Sequence, residues 1–568
     1  MSETFGKFSE IKYVRPDFKA VKKELNAAIK AMKSAKTYAE FKKAYEACEV
    51  TMSNVFTMTT VAEVRNTLDM NDKFYDEEQQ YLNKASGGIS MAMLNLTKAV
   101  LKSPFKQEIS EDYGEFLLKD LEMSQKTMSP WIILLTIKQG TLTQKYSKAA
   151  AMCQTDFRGE KCNFYGLLKH MQSTDRAERK EAFDAWAKLY ESVSAELDGI
   201  YDELVKVRVK IAKRLKFADF IDYIYVARGR YDYDKKDAAA FRESVRKYIV
   251  PLCQKLYKKQ EVALGVDKLR FYDEELTFKE GNATPVGTTE ELVEKARKMY
   301  NALSNESGEY FNFMCEHELF DLETRPGKHM GGYCTYLMDY KAPFIFSNFN
   351  GTSADVDVLT HESGHAFQAY LAFRHIKNLL QISSTSEINE IHSMSMEHFA
   401  YPYMESFFEN ADKYRYHHLV KAVETIPYLV SVDEFQHRVF ENPKMTAKER
   451  RAAWKAIEEK YLPWRDYDGN AFMGEGGFWM QKQHIFLYPF YYIDYALAQV
   501  CAFQIFLRDR ENHATAWNDY IALCRAGGTK GYFDLLKVAN LDNPFHEETI
   551  KAVAGKVEKV IDEFAKKI

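Results

Sequence analysis

Long amphipathic stretches with few turn-forming residues are the feature that most constrains the fold of this chain. From Pro16 to about Ala212, apolar residues recur at helical spacing among Ala, Lys and Glu, as in DFKAVKKELNAAIKAMKSA. The 568 residues include only 26 Gly and 13 Pro, too few turn formers for an all-β protein of this length. A mainly α fold is therefore predicted, with successive helices packed as antiparallel neighbours.

Glycine becomes more frequent between Gly281 and Gly351, where the helical spacing is interrupted. Two short runs rich in aromatic residues lie there, at 333–336 and 344–347. Such runs, bounded by glycines, predict short strands. Because the helical pattern returns after Val356 and holds to the end of the chain, a small β-sheet is expected directly before the segment described below.

The length of the chain predicts more than one lobe. At 66.0 kDa it exceeds what a single ordinary core supports. We place a helical lobe at 1–200 and a second lobe, which would carry any catalytic site and the C-terminal helices, at 201–568.

Charge and hydropathy exclude two classes of partner. The 78 basic and 82 acidic residues are well mixed, so no basic stripe indicates nucleic acid or an anionic membrane. The first residues lack an apolar core of signal-peptide length, and no run of about 18 apolar residues could span a bilayer. A cytoplasmic protein is expected, without nucleic-acid or membrane partners, as a monomer or a homo-oligomer.

The eight cysteines are scattered and form no C-x-x-C pair, which is typical of free thiols in a reducing compartment. Cys153 and Cys162 are the closest pair. A zinc knuckle there is an alternative that lacks support, because no second cysteine pair or histidine pair follows.

The segment His361-Glu362-Ser363-Gly364-His365 predicts a metal site. On a helix, residues four apart lie on one face, so His361 and His365 can present two imidazoles to one ion. Glu362 lies about 100° round the helix, within reach of a water on that ion. Zinc suits this arrangement, because imidazole and carboxylate ligands leave a fourth position open for a water, and coordination to the ion lowers the pKa of that water towards about 7.

A third ligand is required, and the residues alone leave its identity open. The metzincin pattern is excluded, because Gln368 and Leu371 stand where it needs Gly and His. A thermolysin-like pattern expects its ligand glutamate at Thr385 or Ser386, where this chain has no acid, and Glu387 is the nearest one. The segment that follows offers three carboxylates at helical spacing, Glu387, Glu390 and Glu397, whereas we interpret His392 and His398 as packing or supporting residues.

Several sequence blocks together resemble the thimet oligopeptidase and oligoendopeptidase F family of metallopeptidases, most closely the Pz-peptidase-like oligoendopeptidases. Residues 343–351 lead into LTHESGHAFQAY, and SEINEIHSMSMEHF, PFYYIDYALAQV and LCRAGGTKGYFDLLKVANL follow in family order over roughly 325–545. In that family the third ligand is a glutamate 25 residues after the second histidine of the motif. The resemblance therefore selects Glu390, and leaves Glu397 to support a ligand.

The resemblance also implies a fold, a cofactor and a substrate. It implies an elongated, mostly helical, two-lobed body with a deep channel, one Zn²⁺ per chain on the channel floor, and oligopeptides in extended form as substrates. The strand block at 344–351 would then offer a free edge to the peptide backbone, although a purely structural hairpin is the alternative. The residues expected to contact the substrate are Gly331, Gly332, Phe346, Ser347, Asn348, Phe349, Gly351, Tyr488 and Tyr491.

A later segment resembles the part of the family that carries oxyanion donors. Imidazole and hydroxyl groups stabilise the oxyanion that forms as a carbonyl becomes tetrahedral. The family spacing favours Tyr492 and Tyr495, three residues apart, whereas His484 is one position away from its place in the thimet branch. The chain contains 36 Tyr, so most tyrosines must be packing residues.

The predicted function is that of a zinc-dependent oligoendopeptidase that hydrolyses internal bonds of short unstructured peptides. His361, His365 and Glu390 would bind zinc, Glu362 would act as general base, and His484, Tyr492 and Tyr495 would stabilise the oxyanion. The competing hypothesis is a non-catalytic helical scaffold with a decayed motif. None of the expected residues is missing from the sequence.

Overall fold

The computed structural model describes residues 6–568, apart from the side chain of Ser86. The first five residues of the lobe predicted at 1–200 lie outside this range. Within it the chain forms the helices α1 Phe18–Ser34, α2 Tyr38–Leu68, α3 Lys73–Leu101, α4 Lys106–Tyr113, α5 Glu115–Ser124, α6 Ile133–Met152, α7 Phe164–His170, α8 Arg176–Arg214, α9 Phe220–Ala227, α10 Lys235–Leu264, α11 Thr289–Leu303, α12 Asn305–Glu316, α13 Ala354–His375, α14 Ser386–Phe399, α15 Ala411–Glu441, α16 Ala447–Tyr461, α17 Ala471–Gly474, α18 Gln483–Leu487, α19 Tyr492–Glu511, α20 His513–Ala526, α21 Tyr532–Val538 and α22 Glu547–Ala565.

Two small sheets accompany these helices. Strands β1 Thr155–Phe157 and β2 Glu160–Cys162 form an antiparallel hairpin. Strands β3 Phe320–Glu323, β4 Tyr333–Leu337 and β5 Ala342–Phe349 form a three-stranded sheet in the order β3-β5-β4, with β3 parallel and β4 antiparallel to β5. The predicted mainly α fold, with a small sheet directly before the helix of the histidine motif, is confirmed.

The register of the larger sheet corrects one prediction. Strand β5 is central, since Ile345 pairs with Phe320 of β3 on one side and with Cys334 of β4 on the other. The expectation that the block at 344–351 presents a free strand edge is therefore wrong over the residues that β4 covers. Within the described sheet, β4 is an edge strand, with β5 on one side only.

The chain divides into two compact units, each built from three separate segments. Unit 1 contains the segment that ends at Pro130, together with Thr284–Ala411 and Gln504–Asp542. Unit 2 contains Trp131–Ala283, Asp412–Phe503 and Asn543–Ile568. Each unit combines segments that are distant in sequence, whereas the functional division proposed at residue 200 cuts the chain once. That functional division stays a prediction.

Unit 1 is organised around α13, which is buried along most of its length. The sheet packs against it through β5, and α14 and α20 pack on other faces, where Phe367 stacks on Trp517 and Tyr520. Asp355, in the first turn, accepts hydrogen bonds from the backbone N–H groups of Asn350 and Gly351 and so fixes the turn from β5 into the helix.

The contact between α13 and α14 depends on Gly364. A Cβ atom at this position would lie 2.6 Å from the carbonyl oxygen of His392 and 2.6 Å from the Cα of Ser393. Real side chains do not approach backbone so closely, so only glycine permits this separation of the two helices.

Unit 2 is organised around the long helix α8, against which α6 and α7 pack, and around the pair α10 and α22. Asp175 accepts a hydrogen bond from the backbone N–H of Ala177 and so caps α8. The buried guanidinium of Arg242 pairs with Asp433 at 2.6 Å and connects α10 to α15.

Across residues 6–568, no helix combines the length with the apolar composition that a bilayer crossing requires.

Gly364→Ala tests the close contact between α13 and α14. The added methyl group must push the backbone of α14 away, and overpacking of this kind typically costs about 1–3 kcal/mol. We expect the free energy of unfolding of unit 1 to fall by that amount, measured by urea denaturation followed by circular dichroism.

Gly88→Ala is the matched control for this substitution. Gly88 lies in α3 of the same unit, and a Cβ there would meet no atom within 4 Å. Alanine is the better helix former by about 1 kcal/mol, so this variant should be as stable as the parent or more stable. Equal behaviour of the two variants would show that the helices have room to separate.

Candidate metal centre

Helices α13 and α14 bring His361, His365 and Glu390 together. The Nε2 atoms of His361 and His365 lie 3.3 Å and 3.5 Å from Oε2 of Glu390. One potential ligand atom from each of the three residues falls within 4.8 Å of the other two. Two imidazole nitrogens and one carboxylate oxygen that converge in this way form a donor set able to bind a divalent transition-metal ion.

Glu397 orients one of the imidazoles. Its Oε1 lies 2.6 Å from Nδ1 of His361. When Nδ1 carries the proton and donates to this carboxylate, the lone pair of Nε2 faces Glu390 and is available to an ion. The three glutamate candidates thus separate by geometry: Glu390 joins the converging group, Glu397 supports His361, and Glu387 lies outside the converging group.

Glu362 lies beside this group in a buried position. Its side chain is 8% exposed, and its Oε2 has no hydrogen-bond partner among the described residues. Burial raises the pKa of this carboxyl group, although the neighbouring imidazoles of His365 and His361 act in the opposite direction. A buried carboxylate without a partner is costly, so this oxygen requires a proton, a water or a substrate group beside it.

The charges of the centre favour a cation. Burial would lower the pKa of His361, but hydrogen bonds to Glu390 and Glu397 outweigh it and raise that pKa well above its usual value. Burial would raise the pKa of Glu390, yet His365 and His361 lower it well below its usual range. Three carboxylates therefore face two imidazoles, and a divalent cation would compensate this negative charge in place of protons.

The back of the centre is packed against α20. His392 is fully buried, and burial lowers its pKa to about 3, so it stays neutral. The hydroxyl group of Tyr520 donates to the carbonyl oxygen of His392 at 3.0 Å. Ser393 donates to Oε2 of Glu390 at 3.0 Å. His392 thus packs rather than joins the converging group, and Ser393 is a supporting residue that spacing alone did not reveal.

The sheet places the predicted glycine turn next to Glu362. A Cβ atom at Gly332 would lie 3.7 Å from Oε1 of Glu362. Gly331 has a φ of +92°, and its carbonyl oxygen accepts a hydrogen bond from Asn348 at 2.8 Å. The turn that leads into β4 therefore adjoins the carboxylate of Glu362, and a side chain at position 332 would occupy the space beside it.

The predicted substrate residues of β5 are mostly buried. Phe346, Ser347 and Phe349 are at most 6% exposed, and Phe346 stacks on Tyr333 with ring centroids 4.8 Å apart. The ammonium group of Lys328 donates to the carbonyl oxygen of Ser347. Gly351 is exposed and has a φ of +86°. The side chains of β5 thus pack inside unit 1, and the contacts predicted between them and a substrate stay a prediction.

The predicted oxyanion donors form one aromatic cluster in unit 2. The ring centroid of His484 lies 4.8 Å from that of Tyr492 and 6.4 Å from that of Tyr495. Tyr488 and Tyr491 lie 5.7 Å and 5.9 Å from the same imidazole. Tyr492 is buried, which raises the pKa of its hydroxyl group, so that group stays a proton donor at neutral pH.

Three arginines that the sequence analysis did not single out hold the backbone of this cluster. Arg208 donates to the carbonyl oxygens of Ile485 and Phe486, next to His484. Arg228 donates to the carbonyl oxygen of Pro489 at 2.8 Å. Arg230 is fully buried and donates to Phe490, which has a φ of +62°, and to Asp494 at the start of α19.

These arginines carry no pattern in the sequence. Arg208 belongs to the long helix α8, and Arg228 and Arg230 flank a glycine after α9, far from position 484 in the chain. Only the backbone carbonyl groups that they contact connect them to the aromatic cluster. Pairwise spacing therefore could not have identified them.

Two family models match the chain. The Peptidase M3 N-terminal domain matches residues 8–128, and Peptidase family M3 matches residues 169–555. The second match alone covers more than half of the 568 residues.

Individual relatives agree with these matches. A solved structure of Pz peptidase A with an inhibitor is 43% identical, with a TM-score of 0.94, and the match covers 98% of this chain and 99% of that one. An oligoendopeptidase F homolog from Borreliella burgdorferi is 24% identical over 377 residues, 66% of this chain and 63% of the relative. The group B oligopeptidase PepB of Streptococcus agalactiae is 22% identical over 399 residues, 67% of this chain and 62% of the relative.

The chain thus spans less than two thirds of the length of the two curated relatives, whereas it matches Pz peptidase A almost end to end. The resemblance identified from the sequence blocks is confirmed. On these grounds, the chain belongs to peptidase family M3.

Proposed function

We propose that the protein is a zinc-dependent oligoendopeptidase that hydrolyses internal bonds of short unstructured peptides. The observation that carries this proposal is the convergence of His361, His365 and Glu390 beside the buried, unpartnered Oε2 of Glu362. Membership of peptidase family M3 supports a metallopeptidase. The names of the relatives, an oligoendopeptidase F homolog and an oligopeptidase, support peptides as the substrate class.

The three converging residues would hold one zinc ion. Two imidazoles and one carboxylate are a zinc donor set that leaves a further position open. When bound, zinc supplies Lewis-acid chemistry, polarising the peptide carbonyl and acidifying the attacking water. Glu397 keeps His361 in the required tautomer through the 2.6 Å contact with Nδ1.

Glu362 would act as the general base. Its buried carboxylate accepts a proton from the attacking water at the unpartnered oxygen and then delivers that proton to the leaving amine. Both transfers occur in a site that is largely screened from solvent, which strengthens the electrostatic interactions of the carboxylate.

The peptide would be positioned by the sheet and by the aromatic cluster. Because β4 is the edge strand and its preceding turn adjoins Glu362, we assign the backbone contacts of the substrate to β4 and to Gly331 and Gly332, in place of β5. By the family resemblance, we assign oxyanion stabilisation to His484, Tyr492 and Tyr495, with Tyr488 and Tyr491 as substrate contacts. In this proposal, all residues that take part in the reaction lie in the predicted lobe at 201–568.

The proposed function is tested with a quenched fluorescent oligopeptide, with and without a chelator. We expect hydrolysis that the chelator abolishes and added zinc restores. A stable folded protein that contains the same peptide sequence within a helix should remain uncut, because its backbone cannot adopt the extended form. Absence of zinc-dependent hydrolysis would favour the non-catalytic scaffold, and cleavage of the folded protein would remove the restriction to unstructured peptides.

Paired substitutions separate the roles of two glutamates. Glu362→Gln should lower kcat by about 10²-fold or more, because the amide cannot accept the proton, while zinc stays bound. Glu390→Gln should remove one equivalent of zinc relative to the parent at a limiting concentration of zinc. Atomic absorption measures the zinc, and an equal loss of zinc in both variants would contradict the two assignments.

Tyr495→Phe tests the oxyanion donor. If the hydroxyl group contacts only the developing oxyanion, kcat should fall by about 10²-fold with KM and zinc content little changed. Tyr223→Phe removes a half-buried hydroxyl group elsewhere in unit 2 and serves as the control. A near-normal kcat for Tyr495→Phe would transfer the role to Tyr488, Tyr491 or Tyr492.

A further inference from the structure

A second group of metal-binding side chains lies in unit 2, on the small hairpin and the helix that follows it. Strands β1 and β2 pair through Thr155 and Cys162, and the turn between them has positive φ angles at Arg158 and Gly159. Glu160 and Cys162 are two residues apart on β2, so their side chains leave the same face of the hairpin.

Helix α7 brings an imidazole to that face. His170 lies in the last turn of α7, and one potential ligand atom from each of Glu160, Cys162 and His170 falls within 4.8 Å of the other two. Of the described residues, only this group and the His361 group bring three such atoms together. Sulfur, nitrogen and oxygen donors in this combination favour zinc-class ions over magnesium or calcium.

The sulfur of Cys162 is buried and has space beside it. The residue is 4% exposed. Gly166 of α7 lies opposite, where a Cβ atom would come within 3.4 Å of this sulfur. Gly166 costs helix stability relative to alanine, but it avoids crowding of the thiol.

His170 is oriented by a carboxylate from another helix. Its Nδ1 lies 2.7 Å from Oε1 of Glu178 in α8, and the second oxygen of Glu178 accepts a hydrogen bond from Ser173 at 2.9 Å. A histidine whose Nδ1–H donates to a carboxylate presents Nε2 as a lone-pair donor, which is the usual arrangement of a metal ligand.

We propose that Glu160, Cys162 and His170 bind one zinc-class divalent cation that joins the β1–β2 hairpin to α7. Cys162 binds as the thiolate and releases its proton to solvent, and water completes the coordination on the exposed side of Glu160. Glu178 is a positioning residue that acts through His170. This site is separate from the His361 centre and does not depend on the proposed peptidase function.

Cobalt binding gives a spectroscopic test that distinguishes this site from the His361 centre. The His361 centre contains nitrogen and oxygen donors alone, so a thiolate-to-cobalt charge-transfer absorption requires a cysteine ligand. We expect the full-length chain, freed of metal by a chelator and kept under a phosphine reductant, to develop this absorption on titration with Co²⁺. Cys162→Ser should abolish it. Cys153→Ser is the matched control and should retain it, because the Sγ of Cys153 instead donates to Ala149 at 3.2 Å.

Zinc binding and a conservative variant complete the test. When saturated with zinc, the parent protein should bind one more zinc ion than Cys162→Ser does. Glu178→Gln should weaken the binding of that additional ion by about 10–100-fold, but it should not remove the cobalt absorption at saturation. Zinc should also slow hydrogen exchange at residues 155–170 in the parent and not in Cys162→Ser. The proposal is overturned if the parent shows no thiolate absorption, or if the absorption survives in Cys162→Ser.

Discussion

The close approach of α13 and α14 at Gly364 is the constraint on which the rest of the candidate metal centre depends. The backbone of α14 at His392 and Ser393 lies where a side chain at position 364 would be. This separation lets Glu390, one turn before the contact, approach both imidazoles of α13, and lets Glu397, one turn after it, contact His361 from the other side. A wider separation of the helices would disrupt both contacts at once.

Burial of charge explains why the centre suits a cation and why one of its carboxylates stands out from the others. The carboxylates of Glu362, Glu390 and Glu397 are all largely withdrawn from water, and two of them are compensated by imidazoles. The third, Glu362, retains an oxygen without a partner beside Gly332. Such an arrangement is stable only when other groups occupy the space beside the unpartnered oxygen. In a peptidase of this family, these groups would be the metal ion, water and the peptide.

The sequence predicted the parts that depend on spacing along one element. The four-residue spacing of His361 and His365 predicted that both lie on one face of a helix, and the aromatic runs before them predicted a small sheet. The choice of Glu390 over Glu387 and Glu397 needed the family resemblance, because all three suit one helix. The strand order was not predictable, since pairing partners depend on register across the chain, and Gly364 looked like any variable position of its motif. Arg208, Arg228 and Arg230 contact distant backbone carbonyl groups, which no spacing reveals.

The discontinuity of the two units has a consequence for biosynthesis. Unit 1 contains both the segment that ends at Pro130 and the segment Gln504–Asp542. A ribosome that adds about 5–20 residues per second needs roughly 20–80 s to pass from one to the other. Helices α13 and α14 are complete once residue 399 has been added, and for the rest of that interval they exist without Trp517 and Tyr520, which pack against them in the finished protein. The apolar surface of α13 that α20 covers is exposed until then, so we expect the nascent chain to be prone to aggregation until this last segment of unit 1 has been made.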